Sequence, residues 1–149
     1  EVYAGIIADG HHVHFTSIQL AKKLKGDKLF LVTDATPPAG VNNIASFQIG
    51  GQEVFYKNGQ CVSAEGTLGG SALTMIEAIS HCVHEVGIEL AEALRMAGLY
   101  PAQAIGVDHE FGRLAPGHIA NAVVLDEQLS VVGILDRGQV QSFQPPLLT

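Results

Sequence analysis

A chain of 149 residues, 47% hydrophobic and 15% charged, is long enough to bury a core and too apolar to be disordered. The net charge of −7, and the lack of any Lys/Arg run longer than Lys22-Lys23, exclude a basic nucleic-acid-binding surface. No apolar run reaches the ~20 residues of a membrane helix, and no basic leader precedes the first apolar stretch. We therefore expect neither a nucleic-acid partner nor a membrane partner.

Two cysteines, Cys61 and Cys82, lie in apolar sequence surroundings. They are too few for a disulfide framework, and reduced thiols are typical of the cytoplasm. We expect free thiols and a cytoplasmic protein. The chain lacks an initiator Met and starts on an apolar stretch, which favours a fragment of a longer protein.

The first third of the chain predicts two apolar strands joined by a helix. The strands are expected over residues 3–10 and 28–33, and the helix over about residues 18–24. Ser17 is the expected N-cap of the helix, and His12–Phe15 are expected to continue the first strand. Such a pattern is typical of parallel βαβ units, whose functional groups collect where the strands end.

The rest of the chain predicts short antiparallel strands around a helical segment. Strands are expected over residues 46–49, 53–56, 61–62, 121–126, 131–135 and 139–141. Helices are expected over about residues 73–86 and 90–97, with a short third helix ending at Gly106. Gly66–Ser71 predicts a glycine-rich loop that could present backbone N–H groups to a ligand. We place a domain boundary near Gly112.

Asp34 is the strongest candidate for catalysis. It follows the second apolar strand and precedes a Pro-rich turn, so its carboxylate would be held at the rim of the sheet. There it could act first as a general base and then as a general acid. The alternative is that Asp34 caps the following turn through its side chain, as Asp commonly does. The residues alone leave both interpretations open.

Two groups of histidines raise the question of a metal site. On a strand, His12 and His14 would face the same side and suit one ion, but a further ligand would be required. Histidines of a turn or strand end that bind no metal are the favoured interpretation. His81 and His84, three residues apart, are expected on a solvated helix face. We therefore predict no metal ligand in this chain.

Several segments together resemble N-acetylglucosamine-6-phosphate deacetylases. They include Ile6-Ile7-Ala8-Asp9-Gly10-His11-His12-Val13, Leu31-Val32-Thr33-Asp34-Ala35-Thr36-x-Pro38-Ala39-Gly40 and Gly66-Thr67-Leu68-x-Gly70-Ser71-x-Leu73-Thr74-Met75, together with residues 100–106. Residues 112–121 resemble a C-terminal signature that is shared widely among amidohydrolases. The resemblance covers almost the whole chain.

The resemblance implies an α/β fold in two parts. Residues 1–112 would be the C-terminal part of a (β/α)8 metal-dependent hydrolase barrel, and residues 113–149 would be strands of a small β-sandwich. The two N-terminal strands would be barrel strands seven and eight, with six barrel strands missing. Such a piece exposes an apolar edge that costs ~25 cal/mol per Å². We therefore expect that the fragment does not stand alone as a soluble monomer.

The resemblance also implies an activity, the removal of acetate from N-acetylglucosamine 6-phosphate to give glucosamine 6-phosphate. Asp34 matches the catalytic aspartate of the family, and His12 matches a substrate-contacting histidine that we expect to face the same cavity as Asp34. The other matching substrate-binding residues are Asp9, Gly10, His11, Leu68, Gly69 and Gly70.

Cofactor and partners follow from the same resemblance. A divalent metal, zinc or similar, is implied, but its Glu and two His ligands would lie on earlier strands, outside this chain. His14 stands where the family carries an acidic residue. The implied partners are an amino-sugar phosphate substrate and further copies of the intact enzyme in a homo-oligomer. The alternatives are another amidohydrolase of dihydroorotase or dipeptidase type and a non-catalytic sugar-phosphate binding module.

Overall fold

A parallel strand pair with a helical crossover opens the described chain, which comprises residues 2–41 and 43–142 of a computed structural model. Strand β1 (Ala4–Ile7) is followed by helix α1 (Phe15–Lys25), a 3-10 turn (Gly26–Lys28) and strand β2 (Leu29–Val32). The two strands pair in parallel from Ala4↔Leu29 to Ile7↔Val32. The predicted βαβ unit is confirmed.

Helix α1 begins earlier than the sequence predicts. Its N-cap is His14, whose Nδ1 accepts the N–H of Thr16 at 3.2 Å, so the prediction of Ser17 as the cap is wrong. The first strand also ends at Ile7 and does not continue through His12–Phe15. The reason is a turn after the strand, which removes the strand geometry that would have brought His12 and His14 to one side.

A four-stranded antiparallel sheet follows, in the order β3-β4-β5-β6. Its strands are β3 (Ser46–Ile49), β4 (Gln52–Lys57), β5 (Gln60–Ser63) and β6 (Leu68–Ser71). The three predicted antiparallel strands are confirmed. The prediction of a loop over Gly66–Ser71 is wrong for its last four residues, because they pair with β5 through Val62↔Leu68 and Gln60↔Ser71.

The helical segment consists of four short pieces. They are α2 (Met75–His81), a π-helical turn (Cys82–Val86), α3 (Leu90–Ala97) and α4 (Leu99–Ala104). A capping box starts α2: the Thr74 hydroxyl accepts the Glu77 N–H at 3.3 Å, and the Glu77 carboxylate accepts the Thr74 N–H at 2.8 Å. Gly87, in the left-handed region at φ 78°, ends the π-helical turn.

A three-stranded antiparallel sheet closes the described chain. It consists of β7 (Ala122–Leu125), β8 (Val131–Asp136) and β9 (Gln139–Ser142) in sequence order. Three predicted strands are thereby confirmed, and the mixed α/β class with them. The domain boundary near Gly112 stays a prediction, and residues 143–149 of the second predicted domain lie outside the described residues.

The core lies between the parallel strand pair and the helices. Its largest fully buried side chains include Ile18 of α1, Leu29 and Leu31 of β2, and Met96 of α3. Cys61 and Cys82 are buried with free thiols, as expected. Burial raises the pKa of Cys82 to about 11, so its thiol stays protonated at neutral pH. No helix of the described residues is long and apolar enough to cross a membrane.

An ionic network centred on Glu92 ties α1, α3 and α4 together. The carboxylate of Glu92 accepts hydrogen bonds from Lys22, from Arg95 Nε at 2.7 Å and from the Tyr100 hydroxyl at 2.8 Å. Burial opposes ionisation of Glu92, but these three donors outweigh it and lower its pKa to about 2. The ionised carboxylate therefore stabilises the packing of the three helices.

Replacing Glu92 with Gln should destabilise the protein at neutral pH by about 1.5–3 kcal/mol, the range for hydrogen bonds to a charged group. Because folding lowers the pKa of Glu92, its stabilisation is complete above the ordinary value of 4.5 and is lost as the pH falls towards about 2. Melting temperatures of wild type and Glu92→Gln should therefore converge across that window. The exposed Glu85→Gln serves as control, and a pH-independent difference would contradict the prediction.

Candidate active site

Two aspartates follow the two parallel strands at equivalent positions. Ile7 and Val32 are paired at the ends of β1 and β2, and Asp9 and Asp34 each come two residues later. Since the strands are parallel, both aspartates lie at the same, carboxyl-terminal edge of the pair. The sequence-based position of Asp34 at the end of a parallel strand agrees with this geometry.

Asp9 organises the turn that carries His11 and His12. Its Oδ1 accepts the backbone N–H of His11 at 2.9 Å and that of His12 at 2.8 Å. Its Oδ2 lies 2.7 Å from Nδ1 of the His12 ring. One carboxylate thus holds both the backbone of the turn and the orientation of the imidazole.

The same bonds determine the charge of Asp9 and the orientation of His12. Burial opposes ionisation of Asp9, but the bonds from the His12 ring and from the backbone of His12 and His11 lower its pKa overall. Asp9 is therefore an acceptor at neutral pH, and Nδ1 of His12 carries the donated proton. The other ring nitrogen, Nε2, has no hydrogen-bond partner within residues 2–41 and 43–142, and can meet a ligand.

Aromatic packing supports the turn that carries His11 and His12. Gly10 has φ 76°, and a Cβ atom there would lie 2.8 Å from Cζ of Phe15. The Phe15 ring packs edge-on against His81 with ring centroids 5.6 Å apart, and Nδ1 of His81 hydrogen-bonds the Ala8 carbonyl at 2.7 Å. The expectation of a solvated His81 is thus wrong, because this ring bridges α2 to the end of β1. His84 is exposed, as expected.

Asp34 occupies a turn that is attached to strand β6. The φ angle of Asp34 is 52°, in the left-handed region, and Asp34 is exposed. The Asp34 carbonyl accepts the Ser71 N–H at 2.8 Å, and the Ser71 carbonyl accepts the Thr36 N–H at 2.8 Å, which makes a parallel bridge between Ala35 and Ser71. The backbone of the turn is thereby fixed against the four-stranded sheet.

A cavity of about 330 Å³ brings Asp34 together with the predicted sugar-binding segment. Its lining includes Asp34, Leu68, Gly69 and Gly70, four of the eight residues singled out from the sequence. Gly70 has φ 82°, which favours glycine, and brings the backbone close to Asp34. The cavity has the size of a small-molecule site.

Asp9 and His11 line a second, smaller cavity of about 140 Å³, together with Tyr56 and His81. His11 also receives a contact from Gln60, whose Nε2 lies 3.0 Å from Nδ1 of the histidine. His12 is not among the residues that line this cavity or that of Asp34. A cavity shared by Asp34 and His12 stays a prediction.

Four polar residues of the Asp34 cavity were missed in the sequence: Thr36, Gln52, Ser63 and Thr67. A signal existed for Thr36, which stands two residues after Asp34 in the motif that follows the second apolar strand. The other three come from β4, β5 and the turn before β6. Nothing local in their sequence indicates that the sheet folds over the carboxyl edge of β2.

The described residues do not by themselves make a metal centre. Among the described parts of the chain, no group of three or more His, Cys, Asp or Glu is placed to hold a metal ion. His12 is engaged by Asp9, and His14 caps α1. A divalent metal therefore does not fit this donor set.

Three related proteins show what this architecture is similar to. An N-acetylglucosamine-6-phosphate deacetylase of Haemophilus influenzae is 42% identical over 140 residues, which cover 93% of this chain and 37% of that protein. A putative N-acetylgalactosamine-6-phosphate deacetylase of Escherichia coli K12 is 39% identical over 93% of this chain and 82% of its own length. The crystal structure of an N-acetylglucosamine-6-phosphate deacetylase from Pasteurella multocida matches with TM-score 0.92 and 48% identity.

The lengths of these proteins differ. The match spans 95% of this chain but only 37% of the Pasteurella chain, so this sequence corresponds to little more than a third of the Haemophilus and Pasteurella proteins.

The resemblance expected from the motifs is confirmed. A model of the amidohydrolase family matches residues 1–144, nearly the full length. This chain belongs to the amidohydrolase family.

Proposed function

We propose that the protein containing this chain hydrolyses the acetamide of N-acetylglucosamine 6-phosphate to glucosamine 6-phosphate and acetate. The observation that carries the proposal is the 330 Å³ cavity in which Asp34 meets Gly69 and Gly70. Asp34 and a glycine-rich backbone line one small space there, at the carboxyl edge of a parallel strand pair. The relatives that share this segment are named as deacetylases of amino-sugar phosphates.

The proposed architecture is that of a longer enzyme. Residues 1–112 would form the C-terminal part of a (β/α)8 barrel, since the described β1–β2 pair has no further strand on either edge. Residues 113–149 would contribute strands to a small β-sandwich. Exposed valines in the last sheet support a covering layer, with Val123 at 58% and Val140 at 74% exposure. The two-stranded sheet and the exposed valines both agree with the expectation that the chain does not stand alone as a soluble monomer. That expectation stays a prediction.

Asp34 would perform both proton transfers. Its carboxylate takes a proton from a water molecule as the water oxygen attacks the acetamide carbonyl carbon. When Asp34 returns that proton to the amide nitrogen, the oxyanion re-forms a carbonyl group and the C–N bond breaks. The products are the free amine and acetic acid, which loses its proton to give acetate. The exposed position of Asp34 at the rim of a cavity suits this exchange with water and substrate.

Substrate binding would fall to the two segments beside Asp34. Nε2 of His12 would hydrogen-bond a substrate oxygen, while Asp9 holds the ring and Gly10 and His11 complete the turn. The backbone of Leu68, Gly69 and Gly70 would line the sugar. Backbone groups suit this position because glycine leaves them accessible.

The cofactor and partners are proposed from the family. Amidohydrolase deacetylases depend in general on a divalent metal, zinc or similar, and its ligands would lie outside this chain. A homo-oligomer and a cytoplasmic location are also proposed. We further propose that the protein contacts neither nucleic acid nor membrane, and the net charge of −7 argues against a nucleic-acid partner.

The galactosamine epimer is a second candidate substrate. It is favoured by the Escherichia coli relative, which is of comparable length to this chain and carries that name. The dihydroorotase or dipeptidase alternative and the non-catalytic binding module have less support, because the compared relatives are named as deacetylases. Polar side chains of the Asp34 cavity, such as Gln52 and Thr67, would distinguish the two epimeric sugars by hydrogen bonds to the sugar hydroxyl groups.

The experiment uses the full-length protein, purified and supplied with zinc. Acetate release is followed with N-acetylglucosamine 6-phosphate, N-acetylgalactosamine 6-phosphate and the unphosphorylated sugar. We expect the highest kcat/KM for the glucosamine compound and a large loss without phosphate. Binding of both sugar phosphates without acetate release would identify a binding module and contradict the proposal.

Replacing His12 with Asn should impair both the binding and the turnover of substrate. KM and kcat should therefore change, while the metal content is preserved. The change removes Nε2, whereas the carboxylate of Asp9 still receives the backbone bonds of the turn. Steady-state kinetics and metal analysis of the full-length variant test this expectation. The exposed His84→Asn is the matched control. Loss of bound metal in His12→Asn would instead make His12 a ligand.

A further inference from the structure

Thr36 connects the Asp34 turn to strand β6 by hydrogen bonds. Its N–H and its hydroxyl both donate to the carbonyl of Ser71, each at 2.8 Å. On the other side of Ala35, the Ser71 N–H donates to the Asp34 carbonyl at 2.8 Å. Thr36 therefore donates two of the three hydrogen bonds that join the turn to the backbone of Ser71.

The turn requires such an attachment. Asp34 is one of the few non-glycine residues with positive φ in the described chain, at 52°. Residues other than glycine adopt this conformation where their surroundings impose it. The surroundings here are the side chain of Thr36 and the backbone of Ser71, a residue that is only 2% exposed.

The side chain of Thr36 is itself held on two sides. Its hydroxyl lies 3.4 Å from the sulfur of Cys61, which is fully buried. Its γ-methyl group occupies the space beside Gly70, where a Cβ atom would lie only 2.3 Å away. Because the hydroxyl is already bonded to the Ser71 carbonyl, its main partner is the protein backbone.

We infer that Thr36 is a positioning residue that sets the place of the Asp34 carboxylate relative to the Gly69–Gly70 backbone. This inference rests on the proposed deacetylase function. Proton transfer requires the carboxylate within hydrogen-bonding reach of water and leaving nitrogen, and small displacements lower the rate strongly. Thr36 thus acts on kcat through Asp34.

The test compares Thr36→Val with Thr36→Ser in the full-length protein. Valine keeps the branched shape and loses the hydroxyl, so kcat should fall on the order of tenfold while KM stays within about twofold. Serine keeps the hydroxyl and should retain kcat within about threefold. Glu92→Gln, remote from the cavity, is the control: it should lower the melting temperature and leave kcat unchanged.

Crystal structures of the same variants give a readout that does not depend on turnover. In Thr36→Val the Asp34 carbonyl should move out of hydrogen-bonding range of the Ser71 N–H, and in Thr36→Ser it should stay. A wild-type kcat and an unmoved Asp34 in Thr36→Val would overturn the inference, as would a rise in KM alone, which would make Thr36 a substrate contact. A wild-type protein without acetate release, but with the Asp34 shift in the variant, contradicts the proposed function and supports the positioning.

Discussion

Asparagine in place of Asp34 should lower kcat of the full-length protein by on the order of 10²–10⁴, the range for losing a general acid–base group. Asparagine has nearly the same shape and tolerates the left-handed conformation that Asp34 adopts at φ 52°. The turn and its bonds to Ser71 should therefore persist, and only the proton acceptor is lost. Acetate release measures the effect, and the melting temperature should stay close to that of the wild type.

The matched control is Asp27→Asn. Asp27 is an exposed aspartate of the 3-10 turn at the opposite end of strand β2, so the same chemical change is made away from the cavity. Its kcat should equal that of the wild type. A near-normal kcat in Asp34→Asn would refute the general-base role and return Asp34 to the alternative, a residue that only shapes its turn.

Alanine in place of Gly70 should destabilise the protein and abolish most of its activity. A Cβ atom there meets the Thr36 methyl at 2.3 Å and the Asp34 carbonyl oxygen at 3.3 Å, at a φ of 82° that alanine rarely adopts. Overpacking and backbone strain each cost about 1–3 kcal/mol. Thermal unfolding and acetate release should both show the loss, since the displaced groups include the Asp34 turn.

Gly66→Ala separates the two causes. Gly66 has φ 85°, close to that of Gly70, but a Cβ atom there meets nothing within 4 Å. It should therefore show only the backbone cost, about 1 kcal/mol, and keep its activity. Adding Thr36→Ser to Gly70→Ala removes the colliding methyl group and should recover part of the stability. Equal losses in Gly66→Ala and Gly70→Ala would contradict the steric explanation.

The parallel strand pair could be predicted because its residues are apolar without alternation. Leu29 and Leu31 are buried, and helix α1 covers them as the connection of a βαβ unit requires. The place of Asp34 follows from the same pattern, since polar groups after such strands collect at one edge. Local chemistry of this kind is visible in the sequence.

The strand β6 could not be predicted, because two of its four residues are glycines, which are depleted in strands. Its conformation comes from pairing with β5 and from the bridge to Ala35, a residue more than thirty positions earlier. The start of α1 was missed for a related reason: His14 acts as a cap, a role that Ser17 fulfils more commonly. Distant partners decided the conformation of β6, whereas the cap of α1 is a local bond between His14 and Thr16 from an uncommon capping residue.

The bridge between Ala35 and Ser71 makes the amide of Ser71 a probe of the turn. Its hydrogen is bonded to the Asp34 carbonyl and shielded from solvent, so it can exchange with deuterium only when the turn opens. The protection factor of this one amide therefore reports the free energy that separates the closed arrangement from an open one. A ligand that binds the closed arrangement would slow the exchange in proportion to its occupancy.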